Sequence, residues 1–315
     1  MTLQVLKRPQ RGTVRVGSAA NPLDLSRRRV FLWFVLPAAF VYGAFLVAPS
    51  LYTVWIGFNK WSGAGPMTFI GLSNYVHIFR EPVFIGSFVN TLLILFVVGG
   101  ATFAISFVLM LVLREIAGRR IIRAVIFFPN IVPGVVLSIV WGFLFQQQGM
   151  VNAVLKSIGV QQPPAWLSQN SLFIVIMMGL VWINTGFYAT ILMAAVDRIP
   201  PYFFEDCALA GASAWQRMRY VILPLTWDVI GIAAILWTIS SIKIFEFIYA
   251  FAGGAGYLPP ANVWNTAVYS YAAAFASVGV PRYGTAAASA IVMVLLVGIV
   301  VVLIQRVFRR ETIEF

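Results

Sequence analysis

The sequence predicts an all-α, polytopic membrane protein of six transmembrane helices with both termini in the cytoplasm. Three observations carry this expectation. Apolar residues make up 61% of the 315 and charged residues only 10%, a balance unlike that of soluble globular chains. Several uncharged runs exceed the roughly 20 residues that a helix needs to cross a bilayer. The Lys and Arg behind the net charge of +12 sit in short stretches beside those runs, where charge sets orientation and no nucleic-acid reading is needed.

In chain order, residues 1–29 read as a disordered basic cytoplasmic arm that ends in Arg27-Arg28-Arg29. The apolar run after it, from Val30 to Phe58, is too long for a signal-peptide core and reads as a retained first span. Residues 59–82 form a polar loop, and a second span runs from Val83 to Leu113. A turn bearing Arg114, Arg119, Arg120 and Arg123 follows. The third span, 124–145, contains Pro129 and Pro133, so a kinked or irregular helix is expected. A loop over 146–170 precedes the fourth span, 172–196. The fifth span covers 225–251, a Gly/Pro loop covers 253–282, and the sixth span covers 283–304. The transmembrane domain is thus 30–308, with a tail at 309–315.

Orientation follows from the positive residues. The arm, the turn after span two, the 198–224 segment and the polar end from Gln305 onward together hold 17 Lys/Arg, against four (Lys60, Arg80, Lys156, Arg282) in the opposite loops. Positive-inside bias places the first set in the cytoplasm. No internal repeat is evident, which weakens a secondary-transporter reading.

The segment from Arg198 to Pro224 is the anomaly in this lipid-soluble chain. Pro200 and Pro201 suit a first helical turn, and Gly211 suits a left-handed stop. Ser213 and Gln216 have capping-box spacing for a second helix that Pro224 ends or kinks. Ala208, Ala210, Gly211 and Ala212 leave the backbone uncovered beside Phe203, Phe204 and Trp215. Two readings stand at this point: a docking element for a protein partner, or an amphipathic hairpin on the membrane surface.

Catalysis finds no support. There is no phosphate-cradling GxxxxGK[ST] loop, no HExxH and no Ser/His/Asp set, since His77 is the sole histidine; Cys207, the sole cysteine, excludes an internal disulfide. The protein is expected not to be an enzyme and to bind no metal. Polar groups within spans are costly and mark cavities or helix contacts. In span four, Leu180, Ile183, Asn184 and Phe187 fall on one stripe. An amide beside aromatic rings suits a sugar, whose C–H face stacks while its hydroxyls hydrogen-bond; a bond from Asn184 across a helix pair fits equally. In span five, Lys243 and Glu246 are three residues apart, which suggests a structural ion pair or a snorkelling lysine.

The 198–224 segment closely resembles the signature loop of permease subunits of ATP-binding-cassette importers: Glu-Ala-Ala, three residues, Gly, nine residues, Ile, one residue, Leu-Pro. Glu205-Asp206-Cys207, Gly211, Val221 and Leu223-Pro224 stand at these positions with matching spacing. Asp206 and Cys207 replace the two alanines, and Ala210 stands where an aspartate commonly precedes the glycine. From residue 30 onward the chain looks like the carbohydrate branch, the maltose and glycerol-phosphate permease type. The stretch Phe69-Ile70-Gly71-Leu72-Ser73-Asn74-Tyr75 fits it, as do Asn90-Thr91-Leu92, Arg123, Phe128-Pro129, Trp141, Gly149 with Asn152 and Leu155, and Trp182 ahead of Ile199-Pro200. The Gly253-Gly254 turn fits only in part.

The resemblance implies a multi-pass subunit of a bacterial inner (plasma) membrane that moves a sugar or oligosaccharide by alternating access. It implies a second homologous permease, two cytoplasmic ATPase subunits, an extracytoplasmic solute-binding protein and surrounding lipid as partners. It implies no cofactor in this chain, with ATP and Mg held by the ATPase. Glu205, Asp206, Cys207, Ala208, Gly211, Ala212, Leu223 and Pro224 would couple to that ATPase, and Asn184, Phe187, Trp237 and Ser241 would line the path. The alternatives are the same machinery for glycerol phosphate or another polyol, with Lys243 as the available positive charge, and a stand-alone secondary transporter.

Overall fold

The computed structural model describes residues 22–114, 119–253, 257–276 and 280–308. Most of the expected basic arm, the tail 309–315 and Gly254 lie outside these. The chain divides into two units, Met1–Thr53 and Val54–Phe315.

α1 (Pro22–Tyr42) passes through a π-helical turn, Gly43–Val47, into α2 (Ala48–Gly57), which runs from the first unit into the start of the second. The helix begins ahead of the apolar run, and the stretch long and apolar enough to cross a membrane is Trp33–Gly57. Phe34 and Phe45 are among its exposed apolar side chains, with Ile56 near its end buried; the exposed ones suit a lipid-facing helix whose backbone groups are satisfied within the helix.

The second unit is a helical bundle. A short antiparallel hairpin pairs β1 (Asn59–Lys60) with β2 (Thr68–Phe69), and α3 (Ser73–Ile78) follows. The second span is α4 (Pro82–Leu93), a π turn over Ile94–Val98 and α5 (Gly99–Arg114). The third is broken into α6 (Arg119–Ile131) and α7 (Gly134–Phe145). Pro133 makes the break, with ψ at 135°, because its ring and missing N–H cannot continue the ladder; Pro129 is accommodated inside α6. After α8 (Met150–Ser157) comes α9 (Leu172–Val196), the central helix, packed against both α5 and α6. Gly186 permits that approach to α6: a Cβ there would stand 1.8 Å from the Ile126 carbonyl oxygen.

The elbow comprises α10 (Tyr202–Leu209), α11 (Ala214–Arg217), a π turn Met218–Ile222 and α12 (Leu223–Leu225). A bend of 76° at Thr226 leads into α13 (Trp227–Ile242). The expected continuous span 225–251 does not form. It breaks at Lys243–Phe245 and resumes as α14 (Glu246–Ile248) with a π turn, Tyr249–Gly253. Among the described residues, five helices are long and apolar enough to cross a membrane, and a sixth if the bent pair across Thr226 is one span. The third of the five is Gly134–Ser157, displaced from the expected 124–145.

The expected Gly/Pro loop 253–282 holds α15 (Thr266–Tyr271), whose Val268 and Tyr269 are fully buried between α4 and α16 (Tyr283–Phe308). Two of the apolar clusters in the core bear on the site. One joins Ile94, Trp141, Ile176, Tyr188, Trp237 and Phe247; the other joins Met110, Leu192, Met193, Ile199, Met218 and Ile222 beneath the elbow.

Candidate functional site

Sequence and structure agree closely at the elbow. Pro201 caps α10, which ends at Leu209, and Gly211 takes φ of +67°, the left-handed conformation that a side chain disfavours. The Ala212 N–H donates to the Cys207 carbonyl at 2.9 Å and closes the turn. The capping box is present: the Gln216 N–H donates to Ser213 Oγ at 3.2 Å and the Ser213 N–H to Gln216 Oε1 at 2.7 Å. Phe203, Phe204, Met218 and Ile222 turn into the second apolar cluster. Glu205, Asp206, Ala208, Gly211 and Pro224 are exposed, Cys207, Ala212 and Leu223 half-buried, and Leu209 is 89% exposed. The elbow is thus anchored on one side and bare on the other, and a Cβ on Gly211 would meet nothing within 4 Å. At its root, Arg123 of α6 pairs with Asp197 at 3.0 Å, and its Nε reaches Met193 Sδ at 3.2 Å.

The expected path residues divide into two groups. Asn184 and Phe187 are half-buried on α9, and the Asn184 amide donates to its own helix, to the Leu180 carbonyl at 2.7 Å. Trp237 and Ser241 are buried instead, 3% and 1% exposed. Trp237 packs closely against the second span, where a Cβ on Gly99 would stand 2.3 Å from its indole nitrogen, and its N–H donates to the Leu95 carbonyl in the π turn at 2.8 Å. Ser241 donates to Thr238 of its own helix. Aromatic contacts still join the groups, since Tyr188 meets Phe187 and Trp237 edge-on at 5.1 and 5.8 Å.

Lys243 and Glu246 are exposed on either side of the break and make no ion pair with each other, which corrects the expected pair. The spacing argument assumed a helix that ends at Ile242. Lys243 is the C-cap of α13, and Glu246 begins α14 with a carboxylate oxygen 3.8 Å from where a Cβ of Gly134 would stand, at the start of α7. Each charge therefore complements a helix end.

Asn265 holds the break together, and sequence reasoning missed it. Fully buried, it donates to the Ile244 carbonyl and accepts from the Val268 N–H at 3.0 Å. The signal was an Asn ahead of an apolar run, the usual N-cap type. Asn90 donates to the carbonyls of Asn262 and Trp264, while Thr91 and Thr266 hydroxyls meet at 3.0 Å. Nearby, the Tyr269 hydroxyl donates to Glu81 at 2.5 Å, and Arg282 and His77 flank the same carboxylate at 3.6 and 3.7 Å. Burial, reinforced by Glu81, pushes the Tyr269 phenol well above its usual range. Among the described residues no three His, Cys, Asp or Glu side chains are grouped to hold a metal.

Broken helices around a central span, with an anchored elbow left bare on one face, define a multi-span membrane protein. Residues 97–314 match the family described as "Binding-protein-dependent transport system inner membrane component", and the protein belongs to that family. It is 29% identical over 230 residues to the osmoprotective compounds uptake permease protein GgtC of Synechocystis, covering 70% of this chain and 81% of that one. It is 30% identical over 224 residues to the trehalose/maltose transport system permease protein MalF of Thermococcus litoralis, covering 70% and 76%. The fold matches a chain of a bacterial importer of the acidic polysaccharide alginate, with a TM-score of 0.77 at 22% identity over 92% of this chain and 99% of that one. The protein is accordingly an inner-membrane component of a binding-protein-dependent transport system.

Proposed function

We propose that this chain is one of two permease subunits of an ATP-driven importer for a sugar or oligosaccharide, with both termini and the elbow in the cytoplasm. The observation that carries the coupling half is the elbow itself. Its inner face is fixed by Phe203, Phe204, Met218 and Ile222, and its outer face offers small residues that no described residue covers. A separate ATPase subunit, which binds ATP and Mg, seats that face, and closure of two such subunits draws the paired elbows together. The bundle then rocks between inward-facing and outward-facing states, and an outer solute-binding protein delivers the cargo. The alginate importer has been solved with a pentasaccharide-bound periplasmic protein, which supports a delivery partner of this kind. Sugar as cargo is supported by relatives named for α-glucoside and for trehalose/maltose transport. Asn184 and Phe187 belong to the path, with Trp237 and Ser241 behind them.

The test uses Gly211→Asp and Glu205→Arg in the complete transporter. Both variants are expected to lose ATPase co-purification and uptake, and normal assembly with normal uptake in both would sink the docking role. The chain reconstituted alone is expected to move no solute. Uptake without an ATPase would establish a stand-alone transporter instead.

A further inference from the structure

The break in the fifth span combines two features that are hard to reconcile with a lipid-facing surface. Lys243 and Glu246 stand exposed at the break, just past Ile242, where the apolar helix of the bent pair ends. Ionised groups at the end of a membrane-spanning helix sit where water or polar groups reach them, because hydrocarbon does not solvate charge. The surface at 243–246 is therefore wet or covered by polar groups.

Aromatic rings continue from that point without a gap. Phe245 and Tyr249, one turn apart, stack at 5.1 Å between centroids, and Tyr271 packs against both at 5.0 and 5.3 Å. Phe275 follows at 5.4 Å from Tyr271, and Tyr283 at 5.8 Å from Phe275. Unlike the core rings Tyr188, Trp237 and Phe247, none of these is fully buried, and Phe275 is 66% exposed. The row is held in place from behind. Asn265 ties the Ile244 carbonyl to the start of α15, which fixes the element bearing Phe245 against the one bearing Tyr271.

We infer that the break in span five and the ring row from Phe245 to Phe275 form a carbohydrate subsite. The apolar faces of sugar rings stack on the aromatic side chains, and Lys243 and Glu246 hydrogen-bond the hydroxyls at one end of the row. Stacking surface beside groups that both donate and accept is the chemistry that holds a sugar in water. The fitting ligand class is an oligosaccharide, since a row of several rings presents more stacking surface than one sugar unit covers. The inference rests on the sugar-import reading above and adds to it a site distinct from Asn184 and Phe187.

The experiment takes the complete transporter in proteoliposomes, with saturating binding protein and radiolabelled maltose, trehalose, maltotriose and diacetylchitobiose as probes. Wild-type uptake of none of the four would overturn the sugar reading and this inference with it. If wild type imports at least one, a diazirine derivative of that sugar is expected to label peptides containing 245–249 and 271–275. Phe275→Ala, at a position 66% exposed, is expected to lower the maximal uptake rate roughly three- to tenfold. Phe275→Trp is expected to restore it, and Phe245→Ala to act in the same direction. Absence of labelling, wild-type rates in both alanine variants, or a loss that Trp fails to restore would each overturn the subsite while leaving the sugar reading intact.

Discussion

The two ends of the bundle are held by different forces. At the end bearing α3 and α15, side-chain amides and hydroxyls bond to backbone across the chain. Asn74 donates to the Gly57 and Asn59 carbonyls, both at 2.9 Å, and Asn90 and Asn265 hold their partners in the same way. At the elbow end the anchors are apolar, Phe203, Phe204, Met218 and Ile222, with the Arg123–Asp197 pair at the root. Hydrogen bonds to a buried carbonyl fix direction, whereas apolar contacts are non-directional and tolerate small shifts. The α15 end is thus built to keep one arrangement of broken helices. The elbow end is built to keep a helix attached while leaving its outer face and small movements free.

The largest expected effect is at the fixed end. Asn265→Ala removes a donor from the Ile244 carbonyl and the cap of α15 together, with a cost of about 2–4 kcal/mol. Thermal unfolding of the purified complex is expected to shift down accordingly. Asn265→Asp retains an acceptor for Val268 but leaves Ile244 without its donor, so it is expected to recover only part of the loss. Full stability in Asn265→Ala would mean that the polar strut does not hold the break, and the contrast between the ends would fail.

These struts show what was legible in the sequence. The apolar runs gave the spans, and prolines, Gly211 and the Ser213/Gln216 spacing gave the elbow. The residues that marked the family resemblance, Asn74, Asn90, Thr91, Arg123, Trp141 and Asn152, prove to be polar side chains bonded across the bundle or its loops. The break in span five was not legible from local pattern. The run Leu225–Phe251 has no proline and a single glycine, Gly231, far from the break. What opens it is a partner 21 residues away, Asn265, which takes the Ile244 carbonyl. Lys243 and Glu246 were the available hint, since two charges in an apolar run argue against an ordinary lipid-packed helix. The π turn that receives Trp237 left no mark at all, so its burial could not be foreseen.

A smaller effect is expected at the elbow root. The Arg123 and Asp197 side chains are 22% and 35% exposed, and a pair so open to water contributes little. Arg123→Gln is expected to cost about 1 kcal/mol or less, read as a small drop in unfolding temperature with assembly retained. If the elbow's attachment is apolar, uptake should fall by no more than the stability loss accounts for. A much larger loss of uptake would show that this ion pair transmits the elbow's motion, and the elbow end would then rely on directional bonds too.

The bare face is tested most directly at Gly211, because that residue meets two separable demands. Its φ of +67° is a backbone demand within this chain, while the empty space around a Cβ there is a demand made by whatever covers the elbow. Gly211→Ala is expected to cost about 1 kcal/mol from the left-handed backbone alone. Gly211→Asn should cost less, since asparagine tolerates that conformation, yet it places a larger side chain on the docking face. Stability should therefore rank Asn above Ala, and ATPase co-purification should rank Ala above Asn. If both measurements follow the same order, the glycine serves only the turn, and the uncovered face is not what a partner reads.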